Sequence, residues 1–474
     1  MFLNIDGFDR THIAIHDDGG MVVTYGELCD FIQVVAKCNL KRGIVFTLCE
    51  NEAGALAGYV AFESCRLVPL LMSANIDENL LDNLDKTYEP QYYWIKETEC
   101  GTLKGKKIYS CFGYCLIRTE YDFYEINDKL SLLMMTSGST GSPKLVRYKY
   151  GNLENNALNV AKVFGWTSKE NCIMDLPMQY TMGLNVINSH LCVGATVLLI
   201  KSNLMSTTFW DFIRENHGTN FTGVPYSYEI MLKLRFTRMK LPDLYTLAEG
   251  GGKLTDAVFK TLADYAVEND KRFCATFGTT ETSARMAFLE PTEALNRIGS
   301  IGKAIPGGRL YLVDDEGIEL EEDEARGELC YDGPNVTMGY GICKTDLLKD
   351  DEWNGTYHTG DIARRDKDGF YYIIGRKTRF LKLYGLRISL DQAERVIKSE
   401  YNCECACSGN DKEMYIYVTD GKIAKELPGF LSKKFNIIAS TFRTRVVGKI
   451  LKNSTGKIMY RKMDESWGND GQQA

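Results

Sequence analysis

The chain has 474 residues, with 56 Lys and Arg against 63 Asp and Glu, so its formal net charge is −7. This mildly acidic balance lacks the basic face with which nucleic-acid-binding proteins neutralise phosphates, so we expect no nucleic-acid partner. Hydrophobic residues make up 44% and charged residues 25%, which excludes extensive disorder. No run approaches about 18 apolar residues and the start lacks the basic region of a secretory signal, so we expect a cytoplasmic protein without a membrane span.

In the first half of the chain, short β-rich runs alternate with segments of helical pattern. Strands are predicted at 43–48 and 196–200, and a helix at 152–163. Alternation of this kind is typical of parallel sheets that are covered by helices on both faces. The fold class is therefore predicted to be α/β.

Between residues 295 and 375 the pattern changes to short strands separated by closely spaced Asp/Gly turns, which predicts an antiparallel, barrel-like region. Beyond it we expect a helix at 391–400, a strand at 413–418 and a helix at 424–435. We place a domain boundary at residue 376, which gives an N-terminal domain of residues 1–375 and a small α+β domain of residues 376–474.

The 15 cysteines are odd in number and scattered, in a chain too long to need disulfides for its stability. We interpret most of them as small buried hydrophobic residues. In Cys403-Glu-Cys-Ala-Cys407 the thiols would face one side of a strand. Packing is favoured over a metal site there, because no second Cys or His cluster lies nearby in sequence.

The strongest chemical signal is Thr136-Ser-Gly-Ser-Thr-Gly-Ser-Pro-Lys144, which follows an apolar strand. Its glycines let the backbone approach an anion, its hydroxyls can donate to phosphate oxygens, and the lysine adds a positive charge. The spacing differs from that of a Walker A loop. A Ser/Gly-rich surface turn is the alternative interpretation of this segment alone.

This segment resembles the phosphate-binding motif of the adenylate-forming superfamily, which includes acyl-CoA synthetases, adenylation domains of nonribosomal peptide synthetases and luciferases. The resemblance implies a large N-terminal domain of two layered α/β sheets plus a small β-barrel, followed by a small, mobile C-terminal lid. It also implies nucleotide-binding roles for Thr136, Ser137, Gly138, Ser139, Thr140, Gly141 and Lys144.

Two further motifs follow in the order of that family. Phe277-Gly278-Thr279-Thr280-Glu281 resembles its aromatic-G-x-T-E motif, in which the aromatic ring lies near adenine, the threonine meets phosphate and the glutamate holds Mg²⁺. Tyr357-His-Thr-Gly-Asp361 resembles its T-G-D motif, whose aspartate binds the ribose hydroxyls.

The remaining motifs lie near and beyond the predicted boundary. Gly375-Arg376 resembles the hinge, where the arginine reaches the ribose or α-phosphate, and Gly385 would line the tunnel for the thiol arm. Lys457 resembles the C-terminal catalytic lysine that bridges the carboxylate and phosphate oxygens. Two positions depart from the pattern, Leu145 after the first lysine and Thr378 at the hinge, and neither removes a catalytic group.

The family's acid pocket falls, by motif offsets, at Gln179, Tyr180, Gly183, Thr222, Leu247, Glu249, Gly250, Thr276, Ala284 and Arg285. Gln179 stands where amino-acid-activating members usually place an aspartate. Glu249 and Arg285 make the pocket polar. Since a buried charge needs a partner, either these two residues pair with each other or one of them meets a polar group of the substrate.

The resemblance therefore implies an ATP- and Mg²⁺-dependent acid–thiol ligase that forms an acyl-adenylate from a small, polar carboxylic acid. The acceptor would be CoA or the phosphopantetheine of a separate carrier protein. Two alternatives stay open: a medium- or long-chain fatty acyl-CoA synthetase, and a nucleotide-binding protein without turnover. A luciferase-type oxidation has no support outside the shared motifs.

Overall fold

The computed structural model describes residues 1–101, 104–135, 144–377, 379–383, 386–410, 412–453 and 456–469. Its helices are α1 (Tyr25–Lys37), α2 (Ala53–Ser64), α3 (Glu78–Tyr88), α4 (Asn152–Phe164), α5 (Thr181–Leu191), α6 (Thr207–Glu215), α7 (Pro225–Lys233), α8 (Asp256–Glu268), α9 (Leu390–Tyr401), α10 (Gly421–Phe435) and α11 (Tyr460–Asn469). Short 3-10 turns lie between them. None of the helices in these described segments is long and apolar enough to cross a bilayer.

The strands are β1 (Ile13–Asp17), β2 (Val22–Thr24), β3 (Ile44–Cys49), β4 (Val68–Ser73), β5 (Tyr92–Lys96), β6 (Lys106–Cys111), β7 (Tyr114–Arg118), β8 (Leu130–Met135), β9 (Leu145–Lys149), β10 (Asn171–Met174), β11 (Thr196–Leu199), β12 (Asn220–Gly223), β13 (Thr246–Glu249), β14 (Arg272–Phe277), β15 (Ala287–Leu289), β16 (Lys303–Ala304), β17 (Arg309–Val313), β18 (Ala325–Asp332), β19 (Tyr340–Gly341), β20 (Thr356–Arg365), β21 (Tyr371–Arg376), β22 (Phe380–Leu383), β23 (Leu386–Ser389), β24 (Cys405–Gly409), β25 (Met414–Val418) and β26 (Phe442–Val446).

The chain divides into two compact units. The first comprises residues 1–310 and 331–357, and the second comprises residues 311–330 and 358–474. The boundary predicted at residue 376 lies within the second unit. It concerns which residues rotate together, so it stays a prediction.

The first unit contains a nine-stranded sheet in the order β16-β15-β14-β13-β12-β10-β11-β1-β2. Its centre is parallel, from β1 through β11, β10, β12 and β13 to β14. The sequences of these strands are short apolar runs because both faces of the sheet are buried. The predicted parallel sheet is confirmed, and the carboxyl ends of its strands form the edge at which α/β proteins place ligands.

The eight-stranded sheet of the first unit has the order β19-β9-β8-β4-β3-β5-β7-β6. Helix α2, which is buried almost all round, shares its hydrophobic core with residues of both large sheets. It fits because two of its residues are glycines: a Cβ at Gly58 would lie 2.2 Å from the Trp94 indole nitrogen. The same indole donates to the Gly54 carbonyl at 2.9 Å.

The second unit contains the sheet β17-β18-β20-β21, the hairpin β22-β23 and the three-stranded sheet β24-β25-β26. Helices α9 and α10 and strand β25 confirm the elements predicted in this region. Cys405 and Cys407 are buried in the hydrophobic core that these helices form with β24 and β25, and burial raises the pKa of both thiols. Their position fits the packing interpretation.

Glu63 is a buried acid in α2, and its Oε1 atom has no hydrogen-bond partner among the described residues. Burial, and secondarily the charge of Glu154, raises its pKa well above the ordinary value. The folded state therefore keeps this carboxyl protonated in a pH range where the unfolded chain has released the proton.

We expect Glu63→Gln to flatten the pH dependence of the free energy of unfolding. In the parent protein the contribution of Glu63 to that free energy should fall as the pH rises above about 4.3, where an unfolded glutamate ionises. The fall is at most about 1.4 kcal/mol per pH unit, the value for one proton. Urea unfolding from pH 4 to 8 measures the difference, with Glu215→Gln at an exposed site as the control. A constant difference between Glu63→Gln and the parent across this range would contradict the assignment.

Candidate active site

Tyr340 links two of the predicted nucleotide-site residues in the first unit. The Lys144 ammonium lies 3.8 Å from the centre of its ring, and its hydroxyl donates to Glu281 Oε1 at 2.7 Å. Burial raises the pKa of Tyr340, and the charge of Glu281 raises it further, so the phenol stays protonated as a donor. Lys144 and Glu281, 137 residues apart in sequence, therefore lie against one aromatic side chain.

Strand pairing explains how Tyr340 reaches this position. Strand β19 pairs antiparallel with β9, which places Tyr340 opposite Val146. The fully buried Arg147 fixes this pairing, since it donates to the Tyr340 carbonyl at 3.1 Å and forms an ion pair with Glu352 at 2.6 Å. Strand β9 also pairs with β8, so that Met135 and Leu145 oppose each other at the two ends of the predicted phosphate-binding segment. Within that segment, residues 136–143 lie outside the described residues.

The Phe277–Glu281 segment folds back tightly on the residues that follow it. The Phe277 carbonyl accepts from the Met286 amide at 2.9 Å. A Cβ at Gly278 would lie 1.4 Å from the Ala284 carbonyl oxygen, so this position admits glycine alone. Ala284 has a φ of 87°, a strained conformation for alanine. The resulting turn directs Thr280 towards Tyr148, whose hydroxyl donates to the Thr280 carbonyl at 2.6 Å.

The predicted acid-pocket residues divide between the two faces of the nine-stranded sheet. Thr222 pairs with Ala248, and the next residues in each strand, Gly223 and Glu249, also pair. Successive side chains in a strand point to opposite faces. Thr222 and Glu249 therefore point away from each other.

Helix α5 covers the face to which Thr222 points. A Cβ at Gly250 would lie 2.5 Å from Met182 of this helix and 2.7 Å from the Thr276 hydroxyl. Arg285 donates to Asn185 Oδ1 at 3.0 Å and to the Thr222 hydroxyl at 3.2 Å. These residues form what we call the α5-face cluster: Met182, Asn185, Thr222, Gly250, Thr276 and Arg285.

Glu249 lies on the other face, near Tyr228 of α7. Burial raises the pKa of Tyr228, and the charge of Glu249 adds to this rise. Burial raises the pKa of Glu249 itself to about 8, and its Oε2 atom has no hydrogen-bond partner among the described residues. The sheet thus separates Glu249 from Arg285, and within the described chain neither a hydrogen bond nor an ion pair joins them. Pairing of these two residues, one of the two alternatives from the sequence, does not occur.

Three further predicted pocket residues lie at the start of α5, whereas Leu247 lies within β13. Tyr180 is the N-cap residue of the helix, and its carbonyl accepts from the Leu184 amide at 2.9 Å. A Cβ at Gly183 would lie 2.6 Å from the Pro177 carbonyl, so this glycine permits close packing of the preceding turn. Gln179 is half-buried just before the helix. Asp175, which the sequence analysis missed, lies just beyond β10, and burial raises its pKa to about 7.

In the second unit, Asp361 and Arg376 are direct partners. They oppose each other across β20 and β21, and Arg376 Nε lies 2.8 Å from Asp361 Oδ1. The aspartate is nearly fully buried, whereas the arginine is half exposed. The adjacent Lys377 pairs with Glu328 at 2.7 Å. The two predicted ribose- and phosphate-binding residues of this unit thus form one ion pair.

Arg379 organises the segment after the predicted hinge. It pairs with Asp391 at 2.6 Å and Glu394 at 2.7 Å, and its guanidinium lies 3.6 Å from the centre of the Tyr460 ring. Burial alone would lower the pKa of Arg379, but the two carboxylates raise it on balance. The neighbouring predicted positions Thr378 and Gly385 lie outside the described residues. Lys457 is exposed, and its amide donates to Asn453 Oδ1 at 2.9 Å.

Sequence reasoning missed the residues that hold the site in place: Tyr340, Arg147, Asn156, Asn185 and Asn335. Asn156 and Asn335 donate to the Arg285 carbonyl at 2.7 and 3.4 Å. Their signal in the sequence is weak. The one signal is in helix α4, whose apolar face carries the asparagines Asn152 and Asn156. Polar side chains on the apolar face of a helix indicate buried hydrogen bonds.

We expect Tyr340→Phe to raise the KM for MgATP by about 5- to 30-fold. The ring beneath Lys144 stays, while Glu281 loses the hydrogen-bond donor that positions it, a bond worth roughly 1–2 kcal/mol. ATP titrations in a pyrophosphate-exchange assay measure this. Tyr245→Phe is the matched control, since it removes another Tyr–Glu hydrogen bond, to Glu170, in the same unit. An unchanged KM in Tyr340→Phe, or an equal rise in both variants, would contradict a specific role.

Comparison with known proteins identifies the family of this chain. The family model described as AMP-binding enzyme matches residues 77–341, more than half of the chain. An oxalate–CoA ligase of Arabidopsis thaliana is 26% identical over 349 residues, which cover 70% of this chain and 67% of the relative. A 2-succinylbenzoate–CoA ligase of Listeria monocytogenes is 27% identical over 367 residues, which cover 74% of each chain.

Among solved structures, O-succinylbenzoate coenzyme A synthetase from Bacillus subtilis in complex with AMP has a TM-score of 0.77 to this chain. It is 19% identical and the match covers 97% of each chain. This likeness confirms the predicted fold class. The chain belongs to the AMP-binding enzyme family, the adenylate-forming superfamily.

Proposed function

We propose that this protein is an ATP-dependent acid–thiol ligase that converts a small, polar carboxylic acid into its acyl-adenylate and then into its CoA thioester. The arrangement of Lys144 over the ring of Tyr340 and of Glu281 at its hydroxyl carries the proposal, because one side chain contacts both a cation for phosphate and a carboxylate suited to Mg²⁺. Family membership and the relatives named as CoA ligases support it.

In the first step the substrate carboxylate attacks the α-phosphorus of ATP and pyrophosphate leaves. This approach brings negative charges together, so the barrier depends on cations placed around the phosphates. Lys144 and Lys457 supply two of them, and Arg376 reaches the ribose or α-phosphate. Glu281 would hold Mg²⁺, which would neutralise charge on the phosphate oxygens.

The ion pair between Asp361 and Arg376 fits this step. The Asp361 carboxylate is nearly fully buried, and its oxygens are hydrogen-bond acceptors for the hydroxyls of a ribose. The half-exposed arginine can leave the pair to meet a phosphate oxygen. In the second step the thiol attacks the acyl carbon and AMP leaves. We expect the C-terminal domain to rotate for this step, removing Lys457 and presenting Gly385.

The α5-face cluster supports a polar acid over a fatty acid. Arg285, Asn185 and Thr222 are buried polar groups, and Thr222 lies near the carboxyl end of β12. An aliphatic tail placed against them would desolvate the guanidinium without offering a hydrogen bond. A medium- or long-chain substrate is therefore disfavoured. A separate carrier protein as acceptor and a cytoplasmic location stay predictions.

We expect Lys457→Ala to lose at least about 100-fold in acid-dependent ATP–pyrophosphate exchange, because it removes a charge that acts on the transition state of adenylation. The same variant should still convert a synthetic acyl-adenylate and CoA to thioester, since Lys457 acts in the first step alone. Lys449→Ala, an exposed lysine in the same unit, is the control.

Pyrophosphate exchange that is equal in Lys457→Ala and the parent would contradict the assignment of the lysine. ATP binding without exchange, across a panel of mono-, hydroxy-, amino- and dicarboxylic acids, would favour the nucleotide-binding protein without turnover.

A further inference from the structure

The guanidinium of Arg285 is buried without an acidic partner. The side chain is 1% exposed, and its hydrogen bonds go to two neutral groups, the Asn185 amide oxygen and the Thr222 hydroxyl. These two bonds use two of its five N–H donors. Its Nε atom is buried and has no hydrogen-bond partner in the described part of the chain, where no acidic side chain forms an ion pair with it.

The surroundings of Arg285 do not compensate its charge. Burial lowers its pKa to about 10, and the groups that oppose this effect are Cys172, Cys274 and Tyr228. Burial raises the pKa of each of these three groups, so they are uncharged near neutral pH. The Phe164 ring, whose centre lies 5.0 Å from the guanidinium carbon, supplies a weaker attraction.

Arg285 is nevertheless held firmly in place. Asn156 and Asn335 bind its backbone carbonyl, and Asn185 bonds both Asn156 and the guanidinium. A positioned cation with unused donors, next to Thr222 and in the α5-face cluster with Thr276, is suited to an anion that enters from outside the protein. Buried charges that lack a partner in the protein are costly, and a fixed arginine fork matches a carboxylate in charge and shape.

We propose that Arg285 binds a second carboxylate of the substrate, so that the acid is a dicarboxylic acid with one carboxylate adenylated and the other held at the guanidinium. This inference rests on the proposed function. It goes further than the proposed function because it specifies a second carboxylate. A substrate with a neutral polar group in that place would not supply the negative charge that the guanidinium lacks. Glu249 does not compete for Arg285, since it lies on the opposite face of the sheet.

The test compares dicarboxylic acids of two to six carbons with their monomethyl esters and with monocarboxylic acids of equal length, in ATP–pyrophosphate exchange with the full chain. For the best diacid, kcat/KM should exceed that of its half-ester by at least 100-fold. Arg285→Met should remove this preference by lowering the diacid value while it leaves or raises the half-ester value. Arg285→Lys should retain part of it.

Arg272→Met is the matched control. Arg272 is the first residue of β14 in the same unit, and it donates to the Phe164 carbonyl at 2.8 Å. It should keep the diacid preference. Calorimetric titration of the diacid into protein with the non-hydrolysable ATP analogue gives a readout besides turnover: binding should weaken at least 100-fold in Arg285→Met and stay unchanged in Arg272→Met.

Equal use of a diacid and its half-ester by the parent protein would overturn the inference while leaving the ligase proposal intact. An equal loss for both acids in Arg285→Met and Arg285→Lys would also overturn it, since Arg285 would then serve the fold alone. Absence of exchange with every acid, monocarboxylic acids included, would instead overturn the proposed function and this inference together.

Discussion

The alternation of side chains along the parallel strands is the constraint on which the site depends. Thr222 and Glu249 are offset by one residue in register, so the sheet sends the Thr222 side chain and its partner Arg285 to the α5 face and Glu249 to the α7 face. Each charge is then buried apart from the other. Burial raises the pKa of Glu249, so its carboxyl can stay neutral without a partner. An arginine keeps its charge and therefore needs an anion.

The nucleotide side of the site depends on a second pairing, that of β19 with β9. It brings Tyr340 from late in the chain against Lys144, while the tight turn after Phe277 presents Glu281 to the same hydroxyl. Arg147, buried beneath this pairing, donates to the backbone carbonyls of Met338 and Tyr340. A cation, a phenol and a carboxylate from three distant segments are thereby held in fixed relation, which is what preorganised charge stabilisation requires.

Much of the fold was predictable from the sequence, because it depends on local patterns. The strands around 44–49 and 196–199 and the helices at 152–164 and 390–401 follow from hydrophobic periodicity and their caps. Short motifs that resemble those of the family likewise indicated Lys144, Glu281, Asp361 and Arg376. Which face of the sheet Glu249 takes depends on strand register, and the roles of Tyr340 and Asn185 depend on long-range contacts, so none of these could be predicted from local sequence.

The proposed function depends on attack of the substrate carboxylate on the α-phosphorus of ATP. It is tested most directly with a substrate acid whose carboxylates carry ¹⁸O, incubated with the protein, MgATP and CoA, and with the products analysed by mass spectrometry. We expect AMP that contains one ¹⁸O atom, because the attacking oxygen stays on phosphorus when the thiol displaces AMP. Unlabelled AMP, or ADP with labelled phosphate, would contradict it.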